Sequence, residues 1–425
     1  MNRRLLPVLA VMLAAGAGAC AESLDGGAGC PKLCPLQTLT VLDTTITPVL
    51  VFDSTFVGFP ELGTEQELLL ATRGDTLEVR AVIRFDTITT SVTPTNDTTR
   101  AITQVDSAFL RIILDTVRAR IPNQIRFELY DVDDTVETDS LSAPVNARFS
   151  PNRRVGGITV ARAFLPETLN VPVSDSAVLS KIKNRGRMRI GLRVDGDGPA
   201  WIRVGSTVAT AGAVLIYKGS PDTTVAKISV SPLSNYPAAA FDDGIRSGLT
   251  NYSIVAKNAI PQFTNTMNVG GNPGRRAYLR FNIPSHIVDS STIVRATLIL
   301  TQRPIPYGDL RDTMTIHAEV VLAGPQITDL RRASNIISAP GLDVSDSLLI
   351  SPRDSGQKTL NMFLLLRSWR TQDVLLYPPP RALVLRASPE NVLPFQASFF
   401  NSSSAPALRP AMRISYVPSI TFGVP

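Results

Sequence analysis

The length, composition and charge of this 425-residue chain exclude several classes at the outset. With 44% hydrophobic and 18% charged residues it is globular, not disordered. The formal charge of +6 rests on arginines scattered along the chain; no basic run tracks phosphates, which argues against nucleic acid, while attraction to an acidic polysaccharide stands beside the plainer reading of a solvated, arginine-bearing sheet face.

The chain opens with "MNRRLLPVLAVMLAAGAGAC". A basic start, an apolar run from Leu5 to Ala15 and small residues before Cys20 predict an export signal over residues 1–19. The apolar run is shorter than the roughly 20 residues that a membrane-spanning helix needs. The stretch "AGAC" resembles the lipobox of bacterial lipoproteins, which implies that Cys20 becomes the first mature residue and carries acyl chains, each methylene contributing about 0.8 kcal/mol to membrane affinity. An ordinary secretory signal is the alternative. Ala21 after that cysteine resembles lipoproteins sent on to a bacterial outer membrane. With Cys20 lipidated, Cys30 and Cys34 in "CPKLC" are free to pair in an oxidising compartment. Two thiolates with no nearby histidine cannot complete a zinc site. Residues 20–37, glycine-rich between Cys20 and Cys30, read as a flexible tether.

Beyond the tether, period-2 alternation recurs in short runs separated by Pro, Gly, Asp and Asn, and predicts an all-β chain. In "RAVIRFD" (80–86), Ala81, Ile83 and Phe85 share one face; "RAYLRFN" (276–282) places Ala277, Leu279 and Phe281 likewise. The order of the pieces repeats too. "VDSAFL" (105–110) and "VRATLI" (294–299) follow the two copies, then two segments with helical spacing, 176–184 and 360–369, then strands carrying Leu192–Arg193 and Leu385–Arg386, then closing strands with Tyr217 and Tyr416. The separations between matching positions run from 189 to 199 residues, so the repeat is a whole domain and not a solenoid turn. The expected organisation is a first β-sandwich over 38–218, a turn-rich joint "GSPDTTVAK" at 219–227, a second β-sandwich over 228–418 and a tail at 419–425.

The second repeat resembles the DNRLRE domain family of exported bacterial proteins, which overlaps carbohydrate-binding modules attached to polysaccharide lyases. The resemblance rests on "NVGGNPGRRAYLRFNIPSHIVDSSTIVRATLIL" (268–300), "LLLRSW" (364–369), "RALVLRAS" (381–388) and "FQASFFNSSSAPALRPAMRISYV" (395–417). The first repeat follows more loosely and lacks the helix Trp and the late Arg-Pro. The family implies two tandem jelly-roll-like sandwiches, and core packing for Trp369 at the helix end.

No catalytic constellation emerges. The two histidines, His286 and His317, lie in unrelated settings, and no nucleophile elbow, phosphate loop or dinucleotide fingerprint is present. No cofactor and no metal are expected: "DVDD" (131–134) and "DGDG" (195–198) offer oxygen ligands, yet Asp-Gly is also the ordinary material of a hairpin or loop. Sugar binding uses aromatic faces flanked by polar groups. In "PAWIRVG", Ala200, Ile202 and Val204 share one face, leaving Trp201 and Arg203 on the other as candidate ligand contacts; the alternative packs Trp201 at a sandwich edge or domain interface. The functional expectation is a lipid-anchored envelope protein that binds polysaccharide or another surface ligand without catalysis. Its rivals are a structural lipoprotein contacting other envelope proteins and, third, a lyase or hydrolase.

Overall fold

A computed structural model describes residues 41–46, 52–95, 98–133, 142–184, 186–208, 212–234, 240–241, 244–245, 249–259, 263–306, 311–321, 346–371 and 382–418. The export signal, Cys20 and the Cys30–Cys34 pair lie outside the described residues. Residues Leu42–Pro425 form one compact unit, and no described helix is long and apolar enough to cross a membrane.

The alternating runs form strands. In chain order these are β1 (Leu42–Ile46), β2 (Phe52–Val57), β3 (Glu67–Arg73), β4 (Leu77–Phe85), β5 (Ser91–Val92), β6 (Arg100–Ala101), β7 (Ser107–Arg120), β8 (Gln124–Asp131), β9 (Arg154–Ala161), β10 (Thr168–Pro172), β11 (Met188–Gly196), β12 (Ala200–Gly205) and β13 (Val214–Lys218). There follow β14 (Ile228–Val230), β15 (Ala240–Phe241), β16 (Gly244–Ile245), β17 (Asn251–Asn258), β18 (Thr266–Gly270), β19 (Arg275–Arg280), β20 (Ser291–Arg303), β21 (Met314–Val320), β22 (Leu348–Ile350), β23 (Gly356–Asn361), β24 (Ala382–Ser388), β25 (Gln396–Phe400) and β26 (Ala411–Pro418). Helices Asp175–Lys183 and Phe363–Thr371 fall at the two segments of helical spacing.

Two eleven-stranded sheets with antiparallel strand pairing hold the fold. One runs β14-β13-β7-β12-β3-β4-β11-β8-β9, with β10 on β7 and β17 on β4; the other runs β1-β26-β20-β25-β18-β19-β24-β21-β22, with β23 on β20 and β2 on β19. Position for position the orders are the same, and so is the register at their centres: Ala81 faces Leu192 on β11, and Ala277 faces Leu385 on β24. Each sheet wraps around a core because a strand changes partner along its length. β4 pairs with β3 over 77–79 and with β11 over 81–85, giving a β-sandwich-like layer pair from one continuous ladder. Ala81, Ile83 and Phe85 are buried in the first core, and Ala277, Leu279 and Phe281 in the second, with Trp369 fully enclosed there.

Hydrogen bonding crosses the joint expected at 219–227. Strands β1 and β2, from the start of the first repeat, belong to the second sheet; β14 and β17, from the start of the second, belong to the first. The opening strand pair of each repeat is therefore exchanged. At the joint, β13 turns back through 219–227 into its neighbour β14, Leu215 facing Val230, which places β14 on the edge beside β13. The exchanged pairs also cover what alternation alone would leave to solvent. Val82 packs with Tyr130, Tyr252 and Ile254, and Tyr278 with Phe59, Val321 and Val384, so β4 and β19 are buried on both faces.

Candidate functional site

Strand β12 lies between β3 and β7 and sorts its side chains by alternation. Ala200, Ile202 and Val204 enter the first core. Trp201 and Arg203 take the other face, which the second half covers instead of leaving it open to solvent. Trp201 is half-buried and meets Phe395 edge-on at 6.2 Å between ring centroids. Its indole N–H is buried without a hydrogen-bond partner among the described residues. Arg203 is buried. Its Nη1 donates to Glu67 Oε2 at 3.1 Å and lies 3.6 Å from Asp115 Oδ2, and its guanidinium carbon stands 6.0 Å from the Trp201 ring. That distance is at the limit of a cation–π contact. Two carboxylates already balance Arg203, which makes it a brace for Trp201.

These two residues form part of the wall of a cleft of about 650 Å³ between the halves. The first half supplies Val117–Ile121 from the end of β7, Arg162, Trp201 and Arg203; the second supplies Arg311–Thr315, Leu349, Ser388, Pro389, Leu393 and Phe395. Five arginines (118, 120, 162, 203 and 311) and one carboxylate, Asp312, line it. Arg118, Arg162 and Arg311 are exposed. Sequence reasoning did not find these residues, because each is isolated in the chain and only the fold brings them to one cleft.

The remaining candidates settle into structural roles. Asp131 accepts Lys181 at 3.1 Å, and Asp133 accepts Lys181 at 3.0 Å and Arg187 at 2.9 Å, so cations occupy the oxygens that a calcium ion would need. Asp195 binds Arg126, and Asp197 accepts the side-chain amide of Asn123 and the backbone N–H of Gln124. The "DGDG" turn is not a hairpin: β11 pairs with β4 and β8, whereas β12 pairs with β3 and β7. No group of three or more metal-ligating side chains gathers among the described residues. His286 is exposed near Tyr416, while His317 stands on β21 opposite Arg386; burial and then that cation hold its pKa below the usual histidine value. The cations of the outer sheet faces sit in ion pairs, Arg193 with Glu78 at 2.9 Å and Arg386 with Glu319 at 2.6 Å.

No family model matches the chain, and no curated protein matches it at a significant level. Among solved structures, the T13 particle of infectious bursal disease virus matches at 9% identity over 92% of this chain and 78% of that one, with a TM-score of 0.15. The VP2 subviral particle of the same virus matches at 11% identity over 91% and 79%, with a TM-score of 0.12. At these scores the likeness carries no argument about fold or function.

Proposed function

We propose that this chain is a lipid-anchored protein of the bacterial cell envelope, anchored through Cys20 to the outer membrane. In this reading, tandem jelly-roll-like sandwiches of the DNRLRE kind bind polysaccharide, acidic chains in particular, without catalysis. The observation that carries the binding reading is the cleft in which the exposed Arg118, Arg162 and Arg311 stand around Trp201 and Phe395. Guanidinium forks match carboxylate and sulfate groups bidentately, and an indole offers a flat apolar face to a sugar ring. Binding to an array of acidic and neutral glycans, repeated with Trp201→Ala and with Arg118→Ala/Arg162→Ala, tests it. The acidic glycans should bind and lose affinity in both variants, and absence of binding to every glycan ends the proposal. Fatty-acid labelling that persists in Cys20→Ala ends the anchor.

A second reading has its own support. Val117 and Leu349, both on the cleft, and Phe164 beside Arg162 are 86%, 67% and 81% exposed. Large apolar side chains at a rim suit contact with another envelope protein. Co-purification of one such protein, lost in Val117→Ser/Phe164→Ser, would favour this assembly role.

A further inference from the structure

The fold holds apolar side chains out in solvent at the rim of the cleft. Between Arg203, opposite Asp115, and Trp201, opposite Arg120, strand β7 leaves the register of β12 as a bulge. The bulge is fixed in place: Asp115 Oδ1 accepts the backbone N–H of Val117 at 3.2 Å and of Arg118 at 3.1 Å. Such bulges re-aim side chains, and this one displays Val117 with Arg118 exposed beside it. Past the β10–β7 ladder, the Leu114 N–H donates to the Glu167 carbonyl at 2.7 Å; Val117 lies three residues beyond Leu114 and Phe164 three before Glu167. Phe164 ends a 3-10 turn that starts at Arg162, and Leu165 packs against the first core just after it. On the wall from the second half, Leu349 of the edge strand β22 stands opposite Thr315. No other large apolar side chain among the described residues is as exposed as these three.

We propose that the acidic glycan taken by the cleft is the headgroup of a membrane glycolipid. Val117, Phe164 and Leu349 enter the lipid layer around it, and Arg118, Arg162 and Arg311 meet its anionic groups. This rests on the glycan reading above and narrows it from a free polymer to a membrane-borne one. Surfaces that lie on membranes combine apolar side chains, which gain by burial at the acyl boundary, with cations drawn to anionic headgroups. The rim has both kinds side by side: Val117 adjoins Arg118, and Arg162 opens the turn that Phe164 closes. A soluble acidic polysaccharide accounts for the arginines. It gives no apolar partner to Val117 and Leu349, which have no ring face to stack on a sugar.

The test uses the chain from residue 20 with Cys20→Ser, so that no acyl anchor contributes and the whole Leu42–Pro425 unit is present. Zwitterionic vesicles carrying lipopolysaccharide, a phosphorylated glycolipid, should bind it about tenfold more tightly than the oligosaccharide released from the same lipid does, because apolar burial at the rim adds to the cleft contacts. Val117→Ser/Phe164→Ser and Leu349→Ser, all at exposed positions, should lower vesicle affinity towards that of the free oligosaccharide and leave oligosaccharide affinity unchanged. Arg118→Ala/Arg162→Ala should weaken both. Oligosaccharide binding with no gain on vesicles overturns the membrane proposal and leaves the glycan reading standing, whereas binding to neither form ends both. The proposal also falls if the serine variants bind vesicles as the parent does, which would assign the rim to a protein contact, or if phosphatidylglycerol vesicles without the glycolipid bind equally well.

Discussion

The Thr55 hydroxyl accepts the backbone N–H of Asn268 at 2.8 Å, and the Ser253 hydroxyl accepts the backbone N–H of Leu69 at 3.1 Å. Ser253 follows Thr55 by 198 residues and Asn268 follows Leu69 by 199, so one hydrogen bond occurs twice, with donor and acceptor repeats reversed. The two halves are stitched reciprocally, each repeat satisfying an amide that the other leaves open.

These stitches differ in burial, which sets their cost. Ser253→Ala removes the partner of a fully buried Leu69 amide and should destabilise the protein by about 1–3 kcal/mol. Thr55→Val should cost the lower end of that range or less, because Thr55 is only half-buried and water can replace it. Urea unfolding of the two variants compares them; a larger loss for Thr55→Val would show that the burial of the hydroxyl does not set the cost.

Glu65 sits at the same crossing. Its two oxygens accept the N–H of Gly63 at 2.6 Å and of Ser253 at 3.3 Å, and burial raises its pKa from 4.5 to about 7. The folded protein therefore binds this proton more tightly than the unfolded chain does. The stability that protonation lends is complete below pH 4.5 and is lost as pH rises towards 7, on the order of 3 kcal/mol in all. Glu65→Gln should remove that decline, so the wild type should lose more stability than the variant between pH 5 and 8. Parallel pH profiles of the two would refute the assignment.

Alternation alone locates the core faces of β4 and β19, since Ala81, Ile83, Phe85 and their counterparts must be hidden from water. It is silent about the opposite faces. Val82 and Tyr278 are buried by residues far away in sequence, Tyr252 on one side and Phe59 on the other. The common strand order of the two sheets follows like residues recurring at like intervals; the crossing of the first strands between sheets was not legible, since β14 and β1 satisfy either edge equally by pattern. For the same reason Trp201 could be singled out as an aromatic opposite the core, while Arg118, Arg162 and Arg311 could not.

Arg276 and Glu390 form a buried bidentate pair at 2.7 and 2.6 Å, with the guanidinium 4.3 Å from the Phe59 ring. Removal of one partner strands a desolvated charge. Glu390→Ala should cost about 3–5 kcal/mol in urea unfolding. Arg276→Met combined with Glu390→Leu should recover much of that loss, since the apolar pair leaves no buried charge. Equal losses in the single and double variants would show that packing around Phe59 and Tyr278, and not the charge, sets the cost.

The chain's two tryptophans make the cleft directly observable, because Trp369 is fully enclosed in the second core and Trp201 is half-buried beside the arginines. With Trp369→Phe, emission reports Trp201 alone. A cationic cleft concentrates anions and repels cations within about a Debye length, roughly 8–10 Å at moderate salt. Iodide should then quench Trp201 severalfold more strongly than caesium, and the difference should shrink as inert salt is added. Arg118→Ala/Arg162→Ala should bring the two quenchers closer together by lowering the local potential, without shifting the emission maximum, because the Phe395 contact that fixes the indole is untouched. Equal quenching by both ions in the parent would mean that Asp312, Glu67 and Asp115 cancel the arginine field, and the electrostatic case for an acidic ligand would fall with it.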